Sequence, residues 1–179
     1  AEWREETFTT LAGEAASLIG SGPSGMTSVT PADAGEFSRD NVAVYVDAEY
    51  NVSDDLLVQG ALRYEDFSDF GDTINSKLAS RYNLSDDFVI RGAISTGFHA
   101  PTPGQANITS IITTFDGTTG AQLEEGLVRA NNPLAIANGA QELKEEESVS
   151  LSLGFTYSGF DNGNLSVDFY NTKVDDRIY

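Results

Sequence analysis

Few residues in this chain could do chemistry, and they lie apart. There is one histidine, His99, and no cysteine. Disulfides, thiol catalysis and zinc sites built on thiolates are therefore excluded. The place of His99 at a loop base beside Pro101 favours a structural or ligand-contacting role over a catalytic one. No nucleophile elbow, phosphate-binding loop or cluster of metal-ligating histidines is present. No catalytic residue, metal ligand or cofactor is expected. Asp66, Asp69 and Asp72 lie close together around a turn, and carboxylates so spaced suit calcium. The full EF-hand pattern is missing, so a solvated hairpin tip is the preferred reading. The acids at Glu124-Glu125 and Glu145-Glu146-Glu147 suggest a glycosidase pair. Adjacent residues of a strand point to opposite faces, however, so these read as loop acidity.

The elements that must position these side chains show themselves through period two. Val42, Val44, Val46, Ala48, Tyr50 and Val52 share one face, opposed by Asn41, Tyr45, Asp47, Glu49 and Asn51. Five further segments alternate in the same way, beginning near Leu56, Ile74, Phe88, Ser148 and Asn164. The pattern predicts six strands of about ten residues and a partial seventh over Trp3 to Thr10. Asn51 to Asp55, Asn83 to Asp87 and Gly159 to Gly163 are rich in Asn, Asp, Ser and Gly, as tight hairpin turns require. Two long connections, about 11–39 and 99–142, alternate with those turns along the chain, together with a short one at 68–72. One end of the sheet thus carries turns and the other carries loops. The segment Tyr50 to Ala61 is echoed by Tyr82 to Ala93, which supports an up-and-down meander over a Greek key.

The 179 residues carry 28 Asp and Glu against 10 Lys and Arg, a net charge of −18. Such an excess argues against a nucleic-acid partner. Residues 1–40 hold seven acids against two bases, and 99–147 hold seven against two. Much of the charge therefore belongs to the loops. The longest apolar run, Val42 to Val46, is far short of the ~20 residues of a membrane helix.

Two architectures fit such strands. In a soluble sandwich the apolar face packs on a second sheet. In a transmembrane barrel it meets lipid and the polar face lines a lumen. Three features favour the barrel. About ten residues at ~3.3 Å each and ~40° tilt span a ~25 Å apolar band. Turns and loops are segregated to opposite ends. Tyr50, Tyr82 and Phe88 near the turns, and Tyr64 and Phe98 near the loops, sit where interfacial aromatics belong. The polar face holds Asp47, Glu49, Arg63, Glu65, Lys77, Arg81, Arg91 and Asp168. Its first expected role is a hydrated lattice of cross-strand ion pairs; direct contact with a ligand is the second.

Three motifs carry a resemblance to a family. Arg91-Gly92-Ala93-Ile94-Ser95-Thr96-Gly97-Phe98-His99-Ala100-Pro101 resembles the strand-to-loop signature of TonB-dependent outer-membrane receptors, with Ala93 and His99 in place of the commonest residues. Leu143-Lys144-Glu145-Glu146-Glu147-Ser148 with Gly154 resembles the element that follows the long loop, Glu145 replacing the usual Pro. Asp168-Phe169-Tyr170 followed by Asp175-Asp176-Arg177-Ile178 resembles the next strand. The resemblance covers about 41–179 well and the first 40 residues loosely.

The resemblance implies an all-β fold: an antiparallel up-and-down meander forming part of a transmembrane β-barrel, with about seven strands of about 22. Residues 1–179 are then a partial receptor barrel from its C-terminal half, without counterpart to the plug domain. The implied function is that of an outer-membrane active transporter, not an enzyme. It would bind a scarce nutrient of the siderophore, cobalamin or glycan class at extracellular loops, and import it with TonB-coupled energy. The implied partners are outer-membrane lipid, a small nutrient ligand, and the plug domain and TonB complex of the full-length protein. A passive porin-like barrel and a soluble all-β binding domain are the alternatives. Ligand contact is expected at His99, Phe115 and Arg129, with Arg63 and Arg91 on the polar wall. Gly97, Phe98, Ala100, Pro101, Glu146, Ser148, Gly154, Asp168, Tyr170, Asp176 and Ile178 are expected to be structural.

Overall fold

Alternation places every second side chain on one face, and a meander pairs each strand with its sequence neighbour. The computed structural model describes residues 1–15 and 29–178. Part of the first long connection (16–28), Tyr179 and the side chains of Ile111 and Glu124 lie outside the described residues. Seven strands form one sheet: β1 (Glu2–Thr10), β2 (Gly35–Asn51), β3 (Leu56–Phe67), β4 (Gly71–Ser85), β5 (Phe88–His99), β8 (Glu146–Phe160) and β9 (Gly163–Asp175). Their order in the sheet is β1-β2-β3-β4-β5-β8-β9, the expected meander. A separate hairpin, β6 (Ser110–Phe115) with β7 (Gln122–Leu127), and two short helices, α1 (Pro103–Asn107) and α2 (Pro133–Ala137), stand between β5 and β8. The long connection is thus structured, and Glu125 belongs to β7 rather than to a loop.

The strands are longer than expected. β2 has 17 residues and β4 and β8 have 15 each. Period two does continue through Gly35–Asn41. Phe37, Arg39, Asn41 and Ala43 are the more buried set, while Glu36, Ser38 and Asp40 are exposed. Arg39 and Asn41 on the inner side hide the pattern from an apolar-spacing test. The turn expected at Gly159 instead contains the end of β8. The β8–β9 register shifts between Tyr157 and Phe160, a bulge of the kind that tightens local twist.

The two echoed turns share chemistry as well as sequence. Ser53 Oγ accepts the Leu56 amide at 3.1 Å, and Ser85 Oγ accepts the Phe88 amide at 3.1 Å. The Asp55 carbonyl accepts the Asn83 amide and the Asp87 carbonyl accepts the Ser158 amide. Each turn is therefore tied to the next hairpin.

The chain divides into two compact units. The first is Ala1–Arg4, Asp40–Ala100 and Lys144–Tyr179; the second is Glu5–Arg39 and Pro101–Leu143. In the first unit the apolar residues are not a core. Val44, Leu62, Leu78, Ile94, Leu151 and Leu153 stand exposed. Register puts them together: Val46↔Leu62, Tyr64↔Ile74, Leu78↔Ile94 and Ile94↔Leu151. Water-facing apolar surface of this extent is unfavourable for a soluble domain. At the turn end of this face Phe88 stacks on Phe155 at 5.4 Å, and Tyr157 meets Phe160 edge-on at 4.9 Å. At the other end the face becomes acidic, with Asp66↔Asp72 and Glu147↔Asp175. No helix among the described residues is long and apolar enough to cross a membrane; this has no bearing on strands.

Candidate functional site

The opposite face of the first unit is the polar one, and its charges are placed by register. Arg63 lies directly opposite Tyr45, with its guanidinium 5.6 Å from the ring centroid. Arg63 Nε and Nη2 donate to the Glu65 carboxylate at 2.7 and 2.9 Å, and Nη2 also donates to Glu2 at 3.1 Å. Asp47 accepts two bonds from Gln59 Nε2, each 3.2 Å. The expected ion-pair lattice is present here, built within and between strands.

A second cluster spans three strands. Gly154 of β8 is the register partner of Arg91 on one side and of Asp168 on the other. With no side chain at Gly154, Arg91 reaches over β8. Its Nε and Nη2 bond Asp168 at 2.9 and 2.6 Å; Nη1 bonds Thr156 Oγ1 and Nη2 bonds Ser166 Oγ, both at 2.8 Å. A Cβ at Gly154 would overlap Asp168 Oδ1. Three separated motif residues thus make one joint, and Arg91 is engaged by the wall itself.

Gly97, Phe98, Glu146, Ser148, Asp176 and Ile178 gather at the loop end, whereas Tyr170 stands mid-strand on β9. His99 closes β5 and is exposed; its Nδ1 lies 3.8 Å from Glu146 Oε2, its register partner. Glu146 Oε1 accepts the Ile178 amide at 2.8 Å. Asp176 makes this return possible, since it takes a left-handed φ of 54°, a conformation Asp tolerates better than most residues. Gly97 faces Ser148, whose Oγ would lie 3.0 Å from a Cβ placed there. Phe98 meets Phe67 edge-on at 5.8 Å. Tyr170 is the register partner of Ser152 and is 85% exposed. A cavity of 220 Å³ opens here, lined by Asp72, Thr73, Asn75, Thr96, Glu147 and Asp175 among others. Asp66 and Asp72 do face each other, but among the described residues no three His, Cys, Asp or Glu side chains are placed to hold a metal ion.

In the second unit Arg129 is a strut. Its Nε donates to the Asn107 carbonyl at 3.0 Å, its Nη2 donates to the Asp33 carbonyl at 3.1 Å, and its guanidinium stands 4.5 Å over the Phe37 ring. Phe115, at the end of β6, is exposed. The residue that sequence reasoning missed is Arg39, only 5% exposed. It bonds Glu6 through Nε at 2.8 Å and Nη2 at 2.5 Å, and the buried Pro101 carbonyl through Nη1 at 2.5 Å. The period of two does run on before Val42, but with Arg39 and Asn41 in the inward positions no apolar spacing announces it. Ala100, half-buried, is the next residue toward β5. The β6–β7 turn is set by Asp116, whose Oδ1 accepts the Thr118 and Thr119 amides at 2.8 Å each. Those bonds, Thr119 first, hold its carboxyl below the usual carboxylate range.

A family model described as TonB dependent receptor-like, beta-barrel, matches residues 2–179. The chain belongs to the TonB-dependent receptor-like β-barrel family. Receptors of this family are outer-membrane transporters and not enzymes. Among solved structures, the siderophore receptor PirA from Pseudomonas aeruginosa superposes with a TM-score of 0.62 at 21% identity, over 83% of this chain and 26% of its own. PirA from Acinetobacter baumannii gives 0.66 at 18%, over 98% and 24%. The ferric enterobactin receptor PfeA of Pseudomonas aeruginosa, as a G324V mutant, gives 0.67 at 17%, over 96% and 23%. These likenesses establish the fold. The chain spans about a quarter of each of those receptors. No curated protein matches it by sequence.

Proposed function

We propose that residues 1–179 are one part of the barrel wall of an outer-membrane receptor that captures a scarce nutrient outside the cell and imports it with TonB-coupled energy. The observation that carries this reading is the two-faced register of the sheet. In the seven-stranded sheet, the pairs β2–β3, β3–β4, β4–β5, β5–β8 and β8–β9 each set apolar partners on one face, such as Val46↔Leu62, Tyr64↔Ile74, Leu78↔Ile94, Ile94↔Leu151 and Leu153↔Phe169, while most charged side chains of the strands' middle stretch lie on the other. That arrangement suits lipid outside and a hydrated lumen inside. The similar receptors named above act on siderophores, one of them on ferric enterobactin, so a ferric siderophore is the ligand class to try first. The plug domain would belong to the full-length protein, and the TonB complex would be a separate partner that acts on it.

Contact with the ligand falls to the external connections. Phe115 is the strongest of the expected residues, since its ring is exposed and makes no ring or cation–π contact among the described residues. His99 stands at the base of the same connection. Arg63, Arg91 and Arg129 support the site through structure rather than by touching the ligand.

The test is uptake of a labelled ferric siderophore by cells making the full-length protein, with and without a proton-motive uncoupler. Import that stops with the uncoupler supports the proposal. Import that survives it favours the passive porin. Should residues 1–179 alone form a folded monomer in buffer without detergent, the membrane reading fails and the soluble binding domain replaces it. The exposed apolar face predicts aggregation instead.

A further inference from the structure

On the polar face, one row of register partners runs Leu57↔Arg81↔Arg91↔Gly154↔Asp168. Arg81 and Arg91 are directly opposite each other on neighbouring strands, an arrangement that like charges disfavour. Asp168 serves Arg91 through a bidentate bond. Among the described residues neither the Arg81 side chain nor that of Lys77, two period-two repeats away on the same face, makes an ion pair or a hydrogen bond, and both are exposed. Of the positions flanking Arg81 on this face, Leu57, Gln59, Ala79, Asn83, Val89 and Ala93 carry no carboxylate, and Asp55, whose carbonyl accepts the Asn83 amide at the turn, makes no ion pair with Arg81 among the described residues. In a chain of 28 acids and 10 bases, two exposed cations with no ion pair among the described residues stand out against the composition.

We propose that Lys77 and Arg81, with Arg91 clamped beside them, form an oxyanion site on this wall. A guanidinium offers a planar fork matched to a carboxylate or phosphate, and an ammonium adds a point charge. The Arg91–Asp168 clamp keeps the second guanidinium from swinging away, so the incoming anion meets a fixed field. The proposal rests on the barrel reading, in which this face lines the lumen. Two sources share the chemistry: a carboxylate on a protein segment lying against the wall, and a free oxyanion solute in the lumen.

The test places a reporter cysteine at Ala79, a small residue between Lys77 and Arg81 on the same face, by Ala79→Cys in the full-length protein in detergent. Its reaction with an anionic and a cationic methanethiosulfonate is timed, with and without Lys77→Gln and Arg81→Gln. If the site takes a free solute, the anionic reagent reacts on the order of tenfold faster than the cationic one. Inorganic phosphate then slows it, and the double substitution brings the ratio toward one. If a protein carboxylate occupies the site, the cysteine resists both reagents until the double substitution exposes it. An anionic-to-cationic ratio, or a resistance, that the double substitution leaves unchanged overturns the proposal. A second reporter, Leu78→Cys on the apolar face, separates the two readings. Free reaction of that cysteine with both reagents would mean that the membrane assignment had failed, independently of the anion site.

Discussion

Arg91 on β5 bonds Asp168 on β9 by passing over Gly154 of the strand between them. The three residues are register partners in one row, and the bond is bidentate at 2.9 and 2.6 Å. An ordinary side chain in the middle position would occupy the path. The glycine is therefore required for close approach, and its backbone angles play no part.

Gly154→Ala should accordingly destabilise the full-length protein by about 1–3 kcal/mol, the usual cost of inserting a methyl group where no space exists. The new Cβ would overlap Asp168 Oδ1 and lie 2.8 Å from the Val167 carbonyl oxygen. Adding Asp168→Ala should recover part of the loss, because one of the two obstacles goes. Thermal unfolding in detergent measures both. Gly97→Ala should cost less, since the Ser148 hydroxyl it meets can rotate. Unfolding of Gly154→Ala at the wild-type temperature would refute the geometry.

Arg39→Ala should loosen the base of the long connection. It removes the donors to Glu6 and leaves the buried Pro101 carbonyl without its guanidinium. Breaking a fully buried ion pair costs more, but Glu6 is about one-third exposed (32%), so about 2 kcal/mol is expected. Faster proteolysis near Ala100–Pro101 is the readout. Cleavage at the wild-type rate would mean that the pair is ornamental.

Arg129→Lys and Phe115→Ala should separate fold from ligand contact. A lysine cannot reach two carbonyls while stacking on Phe37, so Arg129→Lys should destabilise its unit. Phe115→Ala removes an exposed ring, so it should leave stability unchanged within ±0.5 kcal/mol while weakening siderophore binding. The reverse pattern, in unfolding and binding assays, would contradict both assignments.

Asp116 gives the β6–β7 turn a pH dependence. Its pKa in the fold is lowered, first by the Thr119 amide and then by the Thr118 amide. A lowered carboxyl pKa stabilises the fold above the unfolded pKa, about 4, and that support is lost as pH falls through the folded value. Exchange of the Thr118 and Thr119 amides, corrected for intrinsic rate, should therefore rise as pH drops below about 4. Asp116→Asn should show no such rise. Equal pH profiles for the two proteins would exclude the mechanism.

Much of this was legible in residue order because β-strands repeat every two residues. The faces, the meander and the alternation of turns with long connections follow from spacing alone. Ser53 and Ser85 do the same work because their turns have the same sequence. Arg39 escaped notice because a polar residue on the inner face breaks an apolar pattern while keeping its period. What Arg129 bonds was not legible because a loop arginine advertises only charge, and its carbonyl partners lie far away in sequence. The strands outran their apolar cores because backbone pairing does not require apolar side chains.

Periodicity and motif order dictate the family, the two faces and the direction in which each charge points, since these depend on neighbours along the chain. Register and packing decide what those charges meet. Arg91 and Asp168 are 77 positions apart, and only the pairing of β5 with β8 and of β8 with β9 sets them in one row. The same pairing leaves Arg81 without an ion pair among the described residues. Partner choice among charges is a matter of a few ångströms across strands, and a linear pattern holds no record of that distance.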